Sequence, residues 1–172
     1  MQVLFLVQAC NFKNEVNSSY YCLKLKLKCI QENKIVLFKT SKGDLEVKLF
    51  GKENPVTVSN FLENVDNNIY KNKKFYKIIS YPQLKFIHGG VNPENKFYFE
   101  QNQTLNKISP LIPLEMKFKE ENKPRYNYEI KNPYETENLV NTFERGSIAM
   151  VKSGKNNSSS TEFFFVTNKI PE

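Results

Sequence analysis

Arg145-Gly146-Ser147-Ile148-Ala149-Met150-Val151-Lys152-Ser153-Gly154-Lys155-Asn156-Asn157-Ser158-Ser159-Ser160-Thr161-Glu162-Phe163-Phe164-Phe165-Val166-Thr167 is the stretch whose reading decides the fold. Ile148 to Val151 is a short apolar run of strand length, and Phe163 to Val166 is a second, more aromatic one. Between them lie the ten residues Lys152 to Thr161, all small or polar, with one glycine. That is turn chemistry and not a helix. Two strands joined by a polar loop can edge a groove.

Upstream, Ile35 to Thr40 and Asp44 to Leu49 flank Ser41-Lys42-Gly43, and Leu45, Val47 and Leu49 alternate with charges. This pattern predicts a β-hairpin with one wet face. Asn54 then stands where a helix is capped, with Pro55 in the first turn and Val58, Phe61, Leu62 and Val65 on one side. From Asn92 to Phe143 the chain is rich in Asn, contains Pro124 and Pro133, and has no clear period. We expect loops there, with a short strand at Ile112-Pro113-Leu114-Glu115 and a helical turn within 135–143.

The opening stretch resembles the cyclophilins, the β-barrel class of peptidyl-prolyl cis–trans isomerase. Their pattern R-G-x-[VL]-[SA]-M-A-[RN]-[TS]…[ST]-x-x-S-Q-F-F-I is met by Arg145-Gly146, by Ala149 to Ser153, and by Ser158 to Phe164. The loop length matches common bacterial members without a gap. The first helix is similar too: cyclophilins usually read A-P-x-T-[VA]-x-N-F, and this chain supplies Pro55, Thr57, Val58, Asn60 and Phe61. Further on, F-H-R-[IV]-I-x-x-F-x-x-Q-G-G meets Phe75-Tyr76-Lys77-Ile78-Ile79 and, after three extra residues, His88-Gly89-Gly90.

The resemblance implies a mainly-β fold, an antiparallel barrel with one or two short helices, over residues 34–172. It implies isomerisation of proline-containing peptide segments, assisting protein folding, with no cofactor. An isomerase needs no metal, and the single His would be too few for a zinc site. The catalytic cation of the family is the Arg of F-H-R, and Lys77 stands in its place. Lysine keeps the charge and loses the planar fork, so reduced activity is expected; the plainer reading is a surface lysine on a strand. The proline pocket would be formed by Phe75, Phe86, Met150 and Phe164, with Lys85 competing with Phe86 for the family's Phe place. His88 and Glu162 replace two glutamines, and Val151, Lys152 and Ser153 match the strand that pairs with substrate backbone. The alternative is a non-catalytic module using the same groove to hold a partner polypeptide.

At 172 residues the chain has room for one domain with a real core. A net charge of +7 would suit an acidic partner. The lysines are spread along the chain, however, so nucleic acid is not expected, and a monomer is.

All three cysteines fall within the first 29 residues. Cys22 and Cys29 bracket Leu23-Lys24-Leu25-Lys26-Leu27-Lys28, and would close a small disulfide loop in an oxidising compartment or remain two free thiols. Met1 to Ala9 is apolar and ends at Cys10, which resembles the tail of a lipoprotein signal but lacks a basic start. A buried strand is the other reading. We therefore expect residues 1–33 to be a signal-like segment and tether, Cys10 to be a lipidation candidate, and the protein to be extracytoplasmic and membrane-anchored; the alternative is cytoplasmic. At the other end, cyclophilins continue beyond the point matching Ile170-Pro171-Glu172 through a last strand and helix, which implies a domain incomplete at its C-terminus.

Overall fold

One ten-residue strand, β9 (Asn157–Val166), is the element on which the rest of the sheet is hung. The computed structural model describes residues 17–82, 84–91 and 111–168; Cys10, the apolar leader and the C-terminal residues 169–172 lie outside them. In chain order the described elements begin with α1 (Ser18–Lys24), β1 (Lys34–Thr40), β2 (Gly43–Leu49), α2 (Pro55–Asp66), β3 (Lys77–Tyr81) and β4 (Leu84–Gly90). There follow β5 (Leu111–Pro113), β6 (Glu115–Met116), β7 (Arg125–Tyr126), α3 (Tyr134–Glu137), β8 (Ile148–Ser153) and β9. The fold is mainly β, as expected.

The polar loop expected over Lys152 to Thr161 is in fact short. Asn157 to Ser159 pair with Pro113 to Leu111 of β5, so the serines are ladder residues; Ser159 and Ser160 are fully buried. Along one edge β9 pairs first with β5 and then, from Glu162 to Val166, with β4, while β8 pairs along its other edge. At the switch between β5 and β4, the Ser160 carbonyl accepts from Asn60 Nδ2 and Asn64 Nδ2, each at 2.6 Å. Helix α2 is thereby docked on β9 by two asparagines one turn apart.

The α2 face differs from expectation at one position. Asn64 is buried and Val65 is exposed, because the side-chain amide has a carbonyl to satisfy inside. Its N-terminus is also capped from a distance. Asn54 makes no side-chain cap, and the Glu115 carboxylate of β6 accepts from Val56 N at 3.1 Å and Thr57 N at 2.8 Å. Tyr126 of β7 donates to the same carboxylate at 2.8 Å. Burial pushes the Glu115 carboxyl up, and the bonds from Thr57, Tyr126 and Val56 pull against it.

The core forms where α2, the β1–β2 hairpin and one face of β8–β9 meet. Leu49, Val58, Phe61 and Phe163 are its centre, with Phe38, Tyr70, Ile148, Met150 and Phe165 packed around them. The Phe38 ring lies 6.0, 5.7 and 5.5 Å from those of Phe61, Phe163 and Phe165. Among the described residues the hairpin is joined to the rest by these side chains and not by a ladder: β1–β2 is its own two-stranded sheet, β6–β7 another, and no closed barrel forms. Outward-facing Ile35 and Leu37 are exposed.

Residues 17–33 pack against the domain and do not trail from it. Asn17 caps α1 by accepting from Tyr20 N, and the Tyr21 ring sits 4.7 Å from that of Tyr126. Ile30 N donates to Ser59 Oγ at 2.7 Å. The alternating leucines and lysines of Leu23 to Lys28 form the end of α1 and a turn with Lys26 at φ 57°. Cys22 is buried and disulfide-bonded to Cys29, with Cα atoms 5.5 Å apart.

Candidate functional site

Strands β3, β4 and β9 bring Lys77, His88 and Phe164 into one cross-strand row. Lys77 pairs with His88, and His88 with Phe164, so the three side chains share a face. Ala149 of β8 faces Phe164 from the other side. Phe86, two residues before His88, also lies on this face, its ring 4.9 Å from that of Phe164. Lys85 is its neighbour in sequence and points the other way, exposed. Phe86, and not Lys85, therefore shares the face of Phe164.

The ring of Phe164 is approached on three sides. His88 stacks on it at 5.8 Å and an interplanar angle of 28°, Phe86 meets it edge-on, and Phe143 comes from the turn before β8 at 5.6 Å. Phe164 itself is only partly buried. Beside this aromatic floor, Glu162 has two polar neighbours. Tyr76 Oη donates to Glu162 Oε1, and His88 Nδ1 lies 3.3 Å from the same oxygen. His88 and Glu162 are each 8% exposed, so the network is a buried polar patch against an apolar pocket.

The two glycines after His88 make this closeness possible. A Cβ at Gly90, where φ is +87°, would meet the Thr161 carbonyl oxygen at 2.1 Å. One at Gly89 would press on the Phe163 ring at 2.9 Å. No side chain fits at Gly90.

Phe75 and Met150 are not brought together with Phe164. Met150 pairs with Phe163, one position away on β9, and so belongs to the core face. Phe75 likewise packs its ring 6.3 and 6.0 Å from those of Phe163 and Phe165. Val151 falls at a register shift between Met150 and Lys152, where β8 bulges. Lys152 and Ser153 then pair with Ser158 and Asn157, and Lys152 Nζ lies 4.0 Å from Glu129. Among the described residues β8 pairs with β9 alone, leaving its other edge available to an added strand.

Sequence reading passed over two residues. Tyr76 stands inside the F-H-R frame but drew no role, and Phe143 sits in a segment without period, where no sequence signal marks it.

The arrangement can hold a small apolar ring on Phe164 and hydrogen-bond an extended backbone along β8, and Lys77 stands in the same cross-strand row, two strands from Phe164. Among the described residues it sets apolar surface beside an unpaired strand edge.

Comparison with known proteins agrees. A family model described as "Cyclophilin type peptidyl-prolyl cis-trans isomerase/CLD" matches residues 35–172. Among curated proteins, a peptidyl-prolyl cis-trans isomerase of Acinetobacter baylyi is 30% identical over 132 residues, covering 77% of this chain and 54% of that protein. The chain thus spans about half the length of the curated relative it matches. On its own fold and on this match, the chain belongs to the cyclophilin-type peptidyl-prolyl cis-trans isomerase family.

Proposed function

We propose that this protein catalyses cis–trans isomerisation of Xaa-Pro bonds in polypeptides, at a rate limited by Lys77, in the service of protein folding. The observation that carries the reading is the Lys77–His88–Phe164 row beside the open edge of β8. The reaction meets a barrier of about 18–20 kcal/mol because the amide loses resonance as it twists. Its nitrogen regains a lone pair, and a cation aimed at the twisted amide stabilises that state more than the planar one. The proline ring is held on Phe164 between Phe86 and His88, the backbone along Val151 to Ser153, and Lys77 supplies the cation.

A second reading, a module that holds a partner polypeptide without catalysis, is favoured by Lys77 alone, since an ammonium lacks the guanidinium fork. We further propose an oxidising, extracytoplasmic location, supported by the Cys22–Cys29 disulfide; attachment through Cys10 remains part of that proposal.

A coupled peptide assay on the wild type, Lys77→Arg and Phe164→Ala separates these readings. We expect measurable acceleration by the wild type, a gain of about 10- to 1000-fold for Lys77→Arg if the recovered bond is worth about 1.4–4 kcal/mol, and loss for Phe164→Ala. Folded protein in which neither the wild type nor Lys77→Arg accelerates the reaction would leave the holding module.

A further inference from the structure

Phe143 is a half-exposed phenylalanine, 52% accessible, lying edge-on to the ring at the centre of the pocket. It is held in place by its own turn. Thr142 O accepts from Glu144 N at 3.2 Å, Ser147 Oγ from Glu144 N at 3.0 Å, and Glu144 O from Ser147 N at 2.9 Å. Gly146, at φ +92°, lets the chain reverse so that Gly146 N donates to Val166 O at 2.8 Å while Val166 N donates to Ser147 O at 2.9 Å. The turn is thereby pinned to the end of β9, two residues beyond Phe164. Phe143 accordingly stands as a wall and not as a loose tip.

We propose that Phe143 makes the site selective for Xaa-Pro segments in which a large apolar side chain, such as that of leucine or phenylalanine, lies next to the proline. This rests on the pocket assignment of the proposed function and adds the class of sequence it takes. Phe86 and Phe143 approach the Phe164 ring at 4.9 and 5.6 Å, so the apolar surface runs past the central ring on both sides. A proline ring seated on Phe164 covers only part of it. The remainder faces the residue flanking the proline, and covering an exposed aromatic edge with an apolar side chain is favourable in proportion to the area removed from water. A charged or short flanking side chain leaves Phe143 wet. Because Phe143 is half exposed before anything binds, its packing contributes little to the fold, which keeps selectivity and stability separable.

The test measures two quantities side by side on the wild type, Phe143→Ala and Phe143→Leu. Peptide affinity is read from amide chemical-shift titration with Ala-Ala-Pro-Ala, Ala-Leu-Pro-Ala, Ala-Ala-Pro-Leu and Ala-Glu-Pro-Ala, and kcat/KM from the coupled assay with matching peptides. At least one leucine peptide should bind the wild type about tenfold more tightly than the alanine peptide, the size of effect one apolar contact gives. Phe143→Ala should lose that preference with its melting temperature unchanged, and Phe143→Leu should keep most of it. Three results overturn the inference: no leucine preference in the wild type, the same preference in Phe143→Ala, or no binding of any of the peptides at millimolar concentration. A preference that depends on Phe143 in a protein without turnover upholds the inference and removes the isomerase reading. Turnover with a profile indifferent to Phe143 does the reverse.

Discussion

The two faces of β9 are made from one aromatic run and end in opposite conditions. Phe163 and Phe165 turn inward against Phe38, Phe61, Tyr70 and Met150, and Phe163 is 3% exposed. Phe164, between them, turns to a face with two further phenylalanines and a histidine, where it stays partly open and a buried glutamate completes the floor. The core face has its partners within the chain. The site face has apolar surface left over, which is what a binding groove requires.

Paired truncations break this comparison if it is wrong. Phe163→Ala removes a ring that five others approach, and should cost about 3–5 kcal/mol, with a melting temperature lower by roughly 10 °C. Phe164→Ala, cut from a partly open face, should cost about 1 kcal/mol and leave a folded protein. Thermal unfolding by circular dichroism measures both. Equal losses would mean that Phe164 is as much a part of the core as Phe163, and the groove reading would fall with it.

The faces were only partly legible in sequence. Period-two alternation fixes that Phe163 and Phe165 share a side and that Phe164 takes the other, but not which side is inward; the family resemblance supplied that. It could not place Phe75 and Met150, because nearness in sequence or motif does not fix the face a side chain joins. Met150 stands opposite Phe163, and the bulge at Val151 follows it, so one step of register separates core from pocket. The bonding roles of Glu115 and of Asn60 and Asn64 in α2 were illegible for another reason. Their partners, Thr57 N and the Ser160 carbonyl, are backbone groups 58 and 100 residues from Glu115 and Asn60. The polar, Asn- and Lys-rich run from Asn11 to Asn33 reads as a tether or a loosely docked extension. The buried Cys22, the cap at Asn17 and the Tyr21–Tyr126 contact, which dock residues 17–33, depend on single side chains that an average composition hides.

Polar groups sharpen the same contrast at smaller cost. Glu162→Ala removes the carboxylate that Tyr76 donates to and that lies against the buried His88, and should cost about 1–3 kcal/mol. Glu162→Gln keeps one acceptor and should recover part of that. Peptide titration is the discriminating measurement, because both variants should weaken binding when the patch is part of the groove. Full affinity in a destabilised Glu162→Ala would make the patch a structural network that happens to adjoin the pocket.

Glu115 is the corresponding buried glutamate on the structural side, and its effect should appear only as a slope with pH. Its carboxyl is held above the ordinary 4.5, chiefly by burial, so the folded protein binds this proton more tightly than the unfolded chain does. A raised value means that its contribution to stability is full below pH 4.5 and is lost as pH rises through the folded value. Glutamine at this position cannot titrate. The urea-unfolding free energy of the wild type minus that of Glu115→Gln should therefore decline from acid toward neutral pH, by no more than about 1.4 kcal/mol per pH unit for one proton. Peptide affinity should change little in comparison with Glu162→Gln, since Glu115 bonds to α2 and Tyr126 and to none of the residues around Phe164. A difference that is flat, or that grows with pH, would show that the two α2 amides and the Tyr126 hydroxyl outweigh burial, and Glu115 would then be a carboxylate cap whose charge stabilises the helix.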